Sequence, residues 1–337
     1  MNPYSMITSL FISLLTILSS SMLTHGAETE LNPVIIKEWN VPWAQTRPRD
    51  PYVDQQNRTW FVGQTGDYIA VFDPKDGLFE QFPLESGTGP HNLIVDNQGF
   101  VWYAGNRAAY IGKLNPKNGH ITKYAMPNSS AGDPHTLVFG KPNEIWFTVQ
   151  QGNYIGTLHM DTGSILLTPL FTHNARPYGI VVDATHQPWF TEFGTNKLGT
   201  IDSTTQSIKE MTLPRTNARP RRLALTSNGA VWYVDYAEGY LGQFIPTTKK
   251  VEEWPSPGGD DARPYGMTVD DQDRVWYVET GLYPNRLVGF DTKNQQLISV
   301  TNIESGGGTV RHMFYHQPTQ TIWFGTDANT IGRATLP

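Results

Sequence analysis

The chain has no cysteine, so disulfide bridges, thiol catalysis and attachment of lipid through an N-terminal cysteine are all excluded. Charged residues make up only 17% of the 337 positions, and the 25 Lys and Arg are scattered rather than clustered against 31 Asp and Glu. Binding to a phosphate backbone needs a concentrated basic face, so nucleic acid is not an expected partner. Sustained helical periodicity is also missing, because no window keeps apolar residues at i, i+3 and i+4 for three turns. What is abundant is glycine (31), proline (24) and aromatic residues (12%), the composition of a turn-rich β protein with a large core.

The first thirty residues stand apart from the rest. Met6 to Leu23 is apolar and Ser/Thr-rich, and acidic residues begin at Glu28. That run fits a signal-peptide core with cleavage after Ala27, which predicts an exported protein, periplasmic or secreted, whose domain occupies residues 28–337. The alternative is a transmembrane anchor, since Lys and Arg are absent from the leading segment. After cleavage no membrane contact is expected, and the protein is expected to be a monomer.

Seven of the ten tryptophans recur at a near-constant interval: Trp60, Trp102, Trp146, Trp189, Trp232, Trp276 and Trp323, spaced by 42, 44, 43, 43, 44 and 47 residues. The long last interval reflects extra residues around Leu282 to Pro284. Around each Trp the same grammar returns. An apolar strand such as Ile180-Val181-Val182 precedes it, an Ile-Gly or Leu-Gly pair follows ten residues on (Gly112, Gly156, Gly199, Gly242), and a polar turn leads to a last strand such as Ile208–Leu213. Four short strands per repeat predict an all-β, seven-bladed propeller of four-stranded antiparallel blades. Blade 7 ends after its third strand, whereas Ile35–Pro42 resembles the fourth strands of other blades. The N-terminal strand is therefore expected to close the last blade, which removes exposed sheet edges.

Comparing the blades with one another singles out positions that change type. Eleven residues before each Trp, at the start of the innermost strand, stand Arg49, His91, His135, Tyr178, Arg221, Tyr265 and His312. Two residues earlier the series runs Arg47, Gly89, Asp133, Arg176, Arg219, Arg263, Val310. Three residues after the Trp, Glu192, Asp235 and Glu279 are expected to pair across the hairpin with Arg176, Arg219 and Arg263. Asp133, facing Val149, lacks such a partner and shares a strand side with His135, while His91 fills the equivalent slot of the adjacent blade. A carboxylate flanked by two imidazoles suits proton transfer, metal coordination, or both. The bland alternative is that the histidines only hydrogen-bond neighbouring loops. Arg49, Arg221, Arg222 and Arg311 show no obvious acidic partner. With Tyr178, Tyr265 and His312, they predict a mouth that binds a small molecule carrying ester or anionic oxygens.

The motifs Arg-Pro-Tyr-Gly-Ile (176–180), Trp-Phe-Thr-Glu (189–192) and Asn-Lys-Leu-Gly-Thr-Ile (196–201) resemble the repeats of the virginiamycin B lyase (streptogramin B lyase) family, from about residue 35 to the end. The resemblance implies a seven-bladed propeller that opens an ester or lactone by C–O elimination with Mg²⁺. It further implies that His91, Asp133 and His135, in Gly89-Pro90-His91 and Asp133-Pro134-His135, are the catalytic counterparts, with Asp133 near the metal. These His-bearing blades are the second and third here, whereas in the family they come last. Two other readings stand beside this one: a non-catalytic exported propeller that binds a small molecule, glycan or protein, and a metal-dependent lactonase, whose six-bladed architecture the seven Trp repeats argue against.

Overall fold

The structure is a computed structural model that describes residues 31–337; the expected signal peptide at 1–27 lies outside the described residues. Seven four-stranded antiparallel sheets account for the strands. Six are built from consecutive segments, as in blade 3, where Pro134–Phe139, Glu144–Val149, Tyr154–His159 and Ile165–Pro169 pair in that order. The seventh is composite. Ile35–Asn40 pairs with Thr330–Thr335, followed by Thr321–Gly325 and Met313–His316, with Ile35 opposite Thr335 and Asn40 opposite Thr330. The ring is thus closed by the N-terminal strand. Among the described residues no helix is long and apolar enough to cross a membrane.

The repeat grammar has a physical cause that recurs in four of the blades. The aspartate ending the inner strand accepts the indole N–H of the Trp six residues later: Asp54 from Trp60 at 2.8 Å, Asp96 from Trp102 at 2.9 Å, Asp183 from Trp189 at 3.0 Å and Asp270 from Trp276 at 2.8 Å. The same carboxylates cap the intervening turn; Asp54, for instance, accepts the backbone N–H of Gln56 and Arg58. The recurring glycine seats the aromatic residue that follows the Trp. A Cβ added at Gly199 would lie 2.1 Å from the Phe190 ring, so a side chain there would displace it. Between blades the faces are apolar, as where Trp60, Val62 and Ile69 meet Leu93, Val95 and Tyr103. Outer strands such as Leu78–Pro83 alternate between exposed and half-buried residues, as expected of a rim facing solvent.

Closure is held by side chains as well as by the ladder. The Trp39 ring stacks on Trp323 with centroids 5.7 Å apart and packs 5.0 Å from Phe72 of the next blade. Glu38 accepts hydrogen bonds from the Ser305 and Thr330 hydroxyls. Trp39→Ala is expected to lower stability by about 2 kcal/mol, less than a fully buried Trp because Trp39 is half-exposed. A thermal melt unchanged by that substitution would show that the closing strand carries little of the stability.

Candidate functional site

Six of the seven inner strands begin at a proline, which donates no backbone hydrogen bond, and each then shifts register by a bulge: between Arg49 and Tyr52 in blade 1, Pro134 and Leu137 in blade 3, Pro220 and Arg222 in blade 5. The bulge turns the residues just after the proline toward the middle of the ring. Blade 7 has Val310-Arg311-His312 instead, and its inner strand begins only at Met313. The type-changing slot found in the sequence therefore becomes a layer of side chains across the channel.

That layer brings most of the expected residues together. The His91 and His135 rings pack with centroids 3.5 Å apart. Tyr178 lies 4.2 Å from His135, and its hydroxyl bonds that of Tyr265. Arg221, half-exposed, spreads its guanidinium over Tyr265 at 3.7 Å, Tyr236 at 4.3 Å, Phe193 at 4.5 Å and Tyr178 at 5.0 Å. Cation–π contact with four rings holds it where no carboxylate does. His91 and His135 are only 5% and 2% exposed.

The charges beneath this layer differ from the sequence expectation. Arg49 and Arg222 do have an acidic partner, and it is the same one: Asp50 Oδ1 accepts Arg49 Nε at 2.9 Å, and Asp50 Oδ2 accepts an Arg222 terminal N–H at 3.1 Å. Asn92 adds a third donor to Asp50 at 3.1 Å. Arg311 pairs with Asp327. Only Arg221 of the four keeps the isolation expected for it. Arg222 also donates to the Arg311 carbonyl at 3.1 Å and to Thr136 Oγ1 at 3.2 Å, and Thr136 Oγ1 lies 2.9 Å from His135 Nδ1. The three expected cross-hairpin ion pairs give way to other bonds. Proline, one residue on, occupies the facing register, as in Pro177 opposite Glu192, and Arg176 and Arg263 are left-handed (φ 50° and 45°) and exposed. Glu279 bonds Arg286 and Ser256, Glu192 bonds Thr195, and Asp235 accepts the backbone N–H of Arg219.

Asp133 also finds a different role. Its Oδ2 accepts the backbone N–H of Gln151 at 2.6 Å and its Oδ1 that of Gly152 at 3.1 Å, tying the facing hairpin turn to the start of the inner strand. Around His135, burial, Arg222 and Arg49 favour the neutral ring and Asp50 opposes them. Among the described residues no cluster of three His, Asp or Glu is arranged to hold a metal ion. With Asp133 engaged by two N–H donors and guanidiniums surrounding the imidazoles, this donor set does not fit magnesium.

The electrostatics follow from burial among cations. Burial, then Arg49 and the neighbouring imidazole, hold His91 well below the usual histidine range. Burial, then Arg222 and Arg49, do the same for His135, and His312 falls to about 3. All three rings are therefore neutral at pH 7. Burial pushes the Tyr178 hydroxyl up, but Arg221, Arg49 and Arg222 outweigh it and bring it down to about 8, while its partner Tyr265 is raised.

These shifts have a consequence for stability. An unfolded histidine takes its proton below about pH 6.5, whereas the folded rings do not, so stability is complete above that pH and lost as pH falls. Each ring contributes up to about 1.4 kcal/mol per pH unit. Glu192, raised to about 7 by burial and by Glu210, acts in the opposite sense and offsets part of the loss. A net slope of about 1–3 kcal/mol per unit is expected between pH 6.5 and 4.5. A melting temperature that rises on acidification over that range would contradict neutral buried imidazoles.

The sequence profile of the virginiamycin B lyase family matches residues 31–285. The chain belongs to the virginiamycin B lyase family. Virginiamycin B lyase from Staphylococcus aureus matches with 25% identity and a TM-score of 0.81 over 90% of this chain and 99% of that one. A streptogramin B lyase structure matches with 26% identity and a TM-score of 0.79 over 90% and 98% of the two chains. A catalytically inactive variant of the S. aureus virginiamycin B lyase, solved with quinupristin, superposes equally well at 25% identity. The extracellular domain of a two-component system from B. thetaiotaomicron shares the fold alone, at 12% identity and a TM-score of 0.68, over 90% of this chain and 43% of that one. Among curated proteins, no sequence matches the chain. The family profile stops at residue 285, yet the propeller continues through blade 7 to close on Ile35–Asn40.

Asp50, Asn92, Thr136, Phe193 and Tyr236 were not among the residues expected at the site. The same blade-to-blade comparison moved one position on would have marked the first three, since the series Asp50, Asn92, Thr136, Gly179, Arg222, Gly266, Met313 also changes type around the ring.

Proposed function

We propose that this protein is a carbon–oxygen lyase that opens a cyclic or linear ester by elimination at the mouth formed by Arg221, Phe193 and Tyr236. The observation that carries this reading is the pair of closely packed, neutral imidazoles set among guanidiniums, in a chain of the virginiamycin B lyase family. A neutral imidazole is a base, and a cationic surround stabilises the negative charge that appears when it takes a proton from carbon.

In this reading His135 donates Nδ1–H to Thr136, which leaves the lone pair on Nε2. Nε2 removes the proton α to the substrate carbonyl. The electrons of the C–H bond form a C=C bond, the β C–O bond breaks, and the ester oxygen departs as a carboxylate. Arg221 Nε–H, buried with no partner among the described residues, and the Tyr178 hydroxyl meet the oxygen on which enolate charge develops. His91 packs against His135 and excludes water. No metal enters these steps.

The atom balance supplies the test. Elimination yields a linear product isomeric with the cyclic substrate, whereas hydrolysis yields one heavier by a water. Incubation with a streptogramin B and analysis by liquid chromatography and mass spectrometry is expected to show a later-forming species of unchanged mass. A water-heavier product, or none, would refute the elimination. The deep burial of both imidazoles favours one alternative, a propeller that only binds its ligand, and binding with no product at all is the result that would select it.

A further inference from the structure

The layer of His, Tyr and Arg side chains divides the central channel. On its far side, away from Arg221, the C-terminal halves of all seven inner strands enclose a cavity of about 490 Å³. Its wall is apolar, with Ile94, Val138, Val182, Leu225, Val269 and Phe314 among the lining residues. Its floor is polar and consists of Asn92, Arg222 and His312. The cavity falls within the size range of sites that hold small organic ligands.

The floor is not electrically balanced. Arg49 and Arg222 share the single carboxylate of Asp50, each at full burial, which leaves one positive charge uncompensated in the interior. A buried charge without a counter-charge is costly, and an anion that reached it would be held strongly. Arg222 is the guanidinium that borders the cavity. It uses three of its five N–H groups, on the Arg311 carbonyl, Thr136 and Asp50, so two remain. His312 Nδ1, beside it, is buried and has no partner among the described residues. Asn92 gives one N–H to Asp50 and accepts the Leu137 N–H, so the charge at the floor comes from Arg222, with His312 beside it.

We infer that this cavity is a second ligand site, separate from the lyase mouth, which takes a monocarboxylic acid with an apolar chain. The carboxylate meets Arg222 and His312, and the chain lies along the ring of Ile, Val, Leu and Phe side chains toward the open end. The inference does not depend on the lyase reading, because the two mouths lie on opposite sides of the side-chain layer.

Calorimetric titration with decanoate, and with 1-decanol as the neutral counterpart of equal chain length, tests this. Decanoate is expected to bind at least about tenfold more tightly than the alcohol, as a charge-assisted bond at the floor requires. Val182→Trp combined with Leu225→Trp, both at half-exposed positions, is expected to weaken decanoate binding by more than about tenfold while the circular dichroism spectrum stays unchanged. His135→Ala is expected to leave decanoate binding intact whether or not it abolishes turnover. No binding by decanoate, equal binding of the alcohol, undiminished binding in the double Trp variant, or loss of binding in His135→Ala would each overturn the inference. The acid-versus-alcohol comparison uses the unaltered protein and stands even if a variant fails to fold.

Discussion

His135→Ala is expected to lower kcat for ester opening by about 10²–10⁴-fold, the range by which a positioned general base accelerates proton transfer, with little change in substrate affinity. The side chain sits on a bulged strand behind Pro134, bonds Thr136 and packs on His91, so the alanine variant loses ring contacts but no backbone pairing. The pH profile distinguishes a base from a mere packing ring. His135 titrates far below pH 6.5, so the rate is expected to be level from about pH 6 to the region of Tyr178. In the proposed step Tyr178 donates a hydrogen bond to the developing oxyanion, and the neighbouring guanidiniums bring its hydroxyl down to about 8, so activity is expected to fall as pH rises through about 8. Tyr178→Phe should remove that upper limb and lower the plateau. Full activity in His135→Ala, or a profile that climbs from pH 5 to 7 as an ordinary histidine would give, would end its assignment as the base.

The second large effect is structural. Asp50→Asn keeps the shape of the side chain but removes the one negative charge between two buried guanidiniums. Removing one member of a buried ion pair costs about 3–5 kcal/mol, because the partner stays behind without compensation, and here two partners do. Asp50 is 1% exposed and Arg49 and Arg222 are both 3% exposed, so water cannot take over the role. Denaturant unfolding of Asp50→Asn should show a loss of that size, and a loss below about 1 kcal/mol would mean that the guanidiniums find other relief. Asp133→Asn should be milder. Its two bonds go to the backbone N–H groups of Gln151 and Gly152 at a partly exposed turn, and an amide oxygen can keep one of them.

Much of the architecture could be read before any coordinates. Seven tryptophans at a near-constant interval, a glycine ten residues on, and an N-terminal segment shaped like a missing fourth strand are local facts about equivalent positions. They suffice because a propeller repeats one local solution seven times. The slot holding His91, His135, Tyr178, Arg221 and Tyr265 was legible for the same reason. A position that abandons its type from blade to blade, on a strand that is otherwise apolar, is not there for packing.

What the repeat could not disclose is where each of those side chains points and which charges meet. Equivalence in sequence predicts that Arg176 faces Glu192, but a left-handed residue before the proline and the bulge after it move the register by one and release the arginine to solvent. Asp133 reads as an unpartnered acid beside a histidine, and in three dimensions it fastens a turn. Arg49 and Arg222 read as unpaired cations, and they share Asp50 although Arg222 lies 172 residues from it in the chain. The sequence by itself determined the blade count, the ring closure and the layer at which chemistry can occur, since these follow from periodicity. Only the closed ring, which sets blade 1 across the channel from blade 5, decided that Arg49 and Arg222 meet at Asp50 and that these guanidiniums, rather than Asp133, dominate the field around the imidazoles.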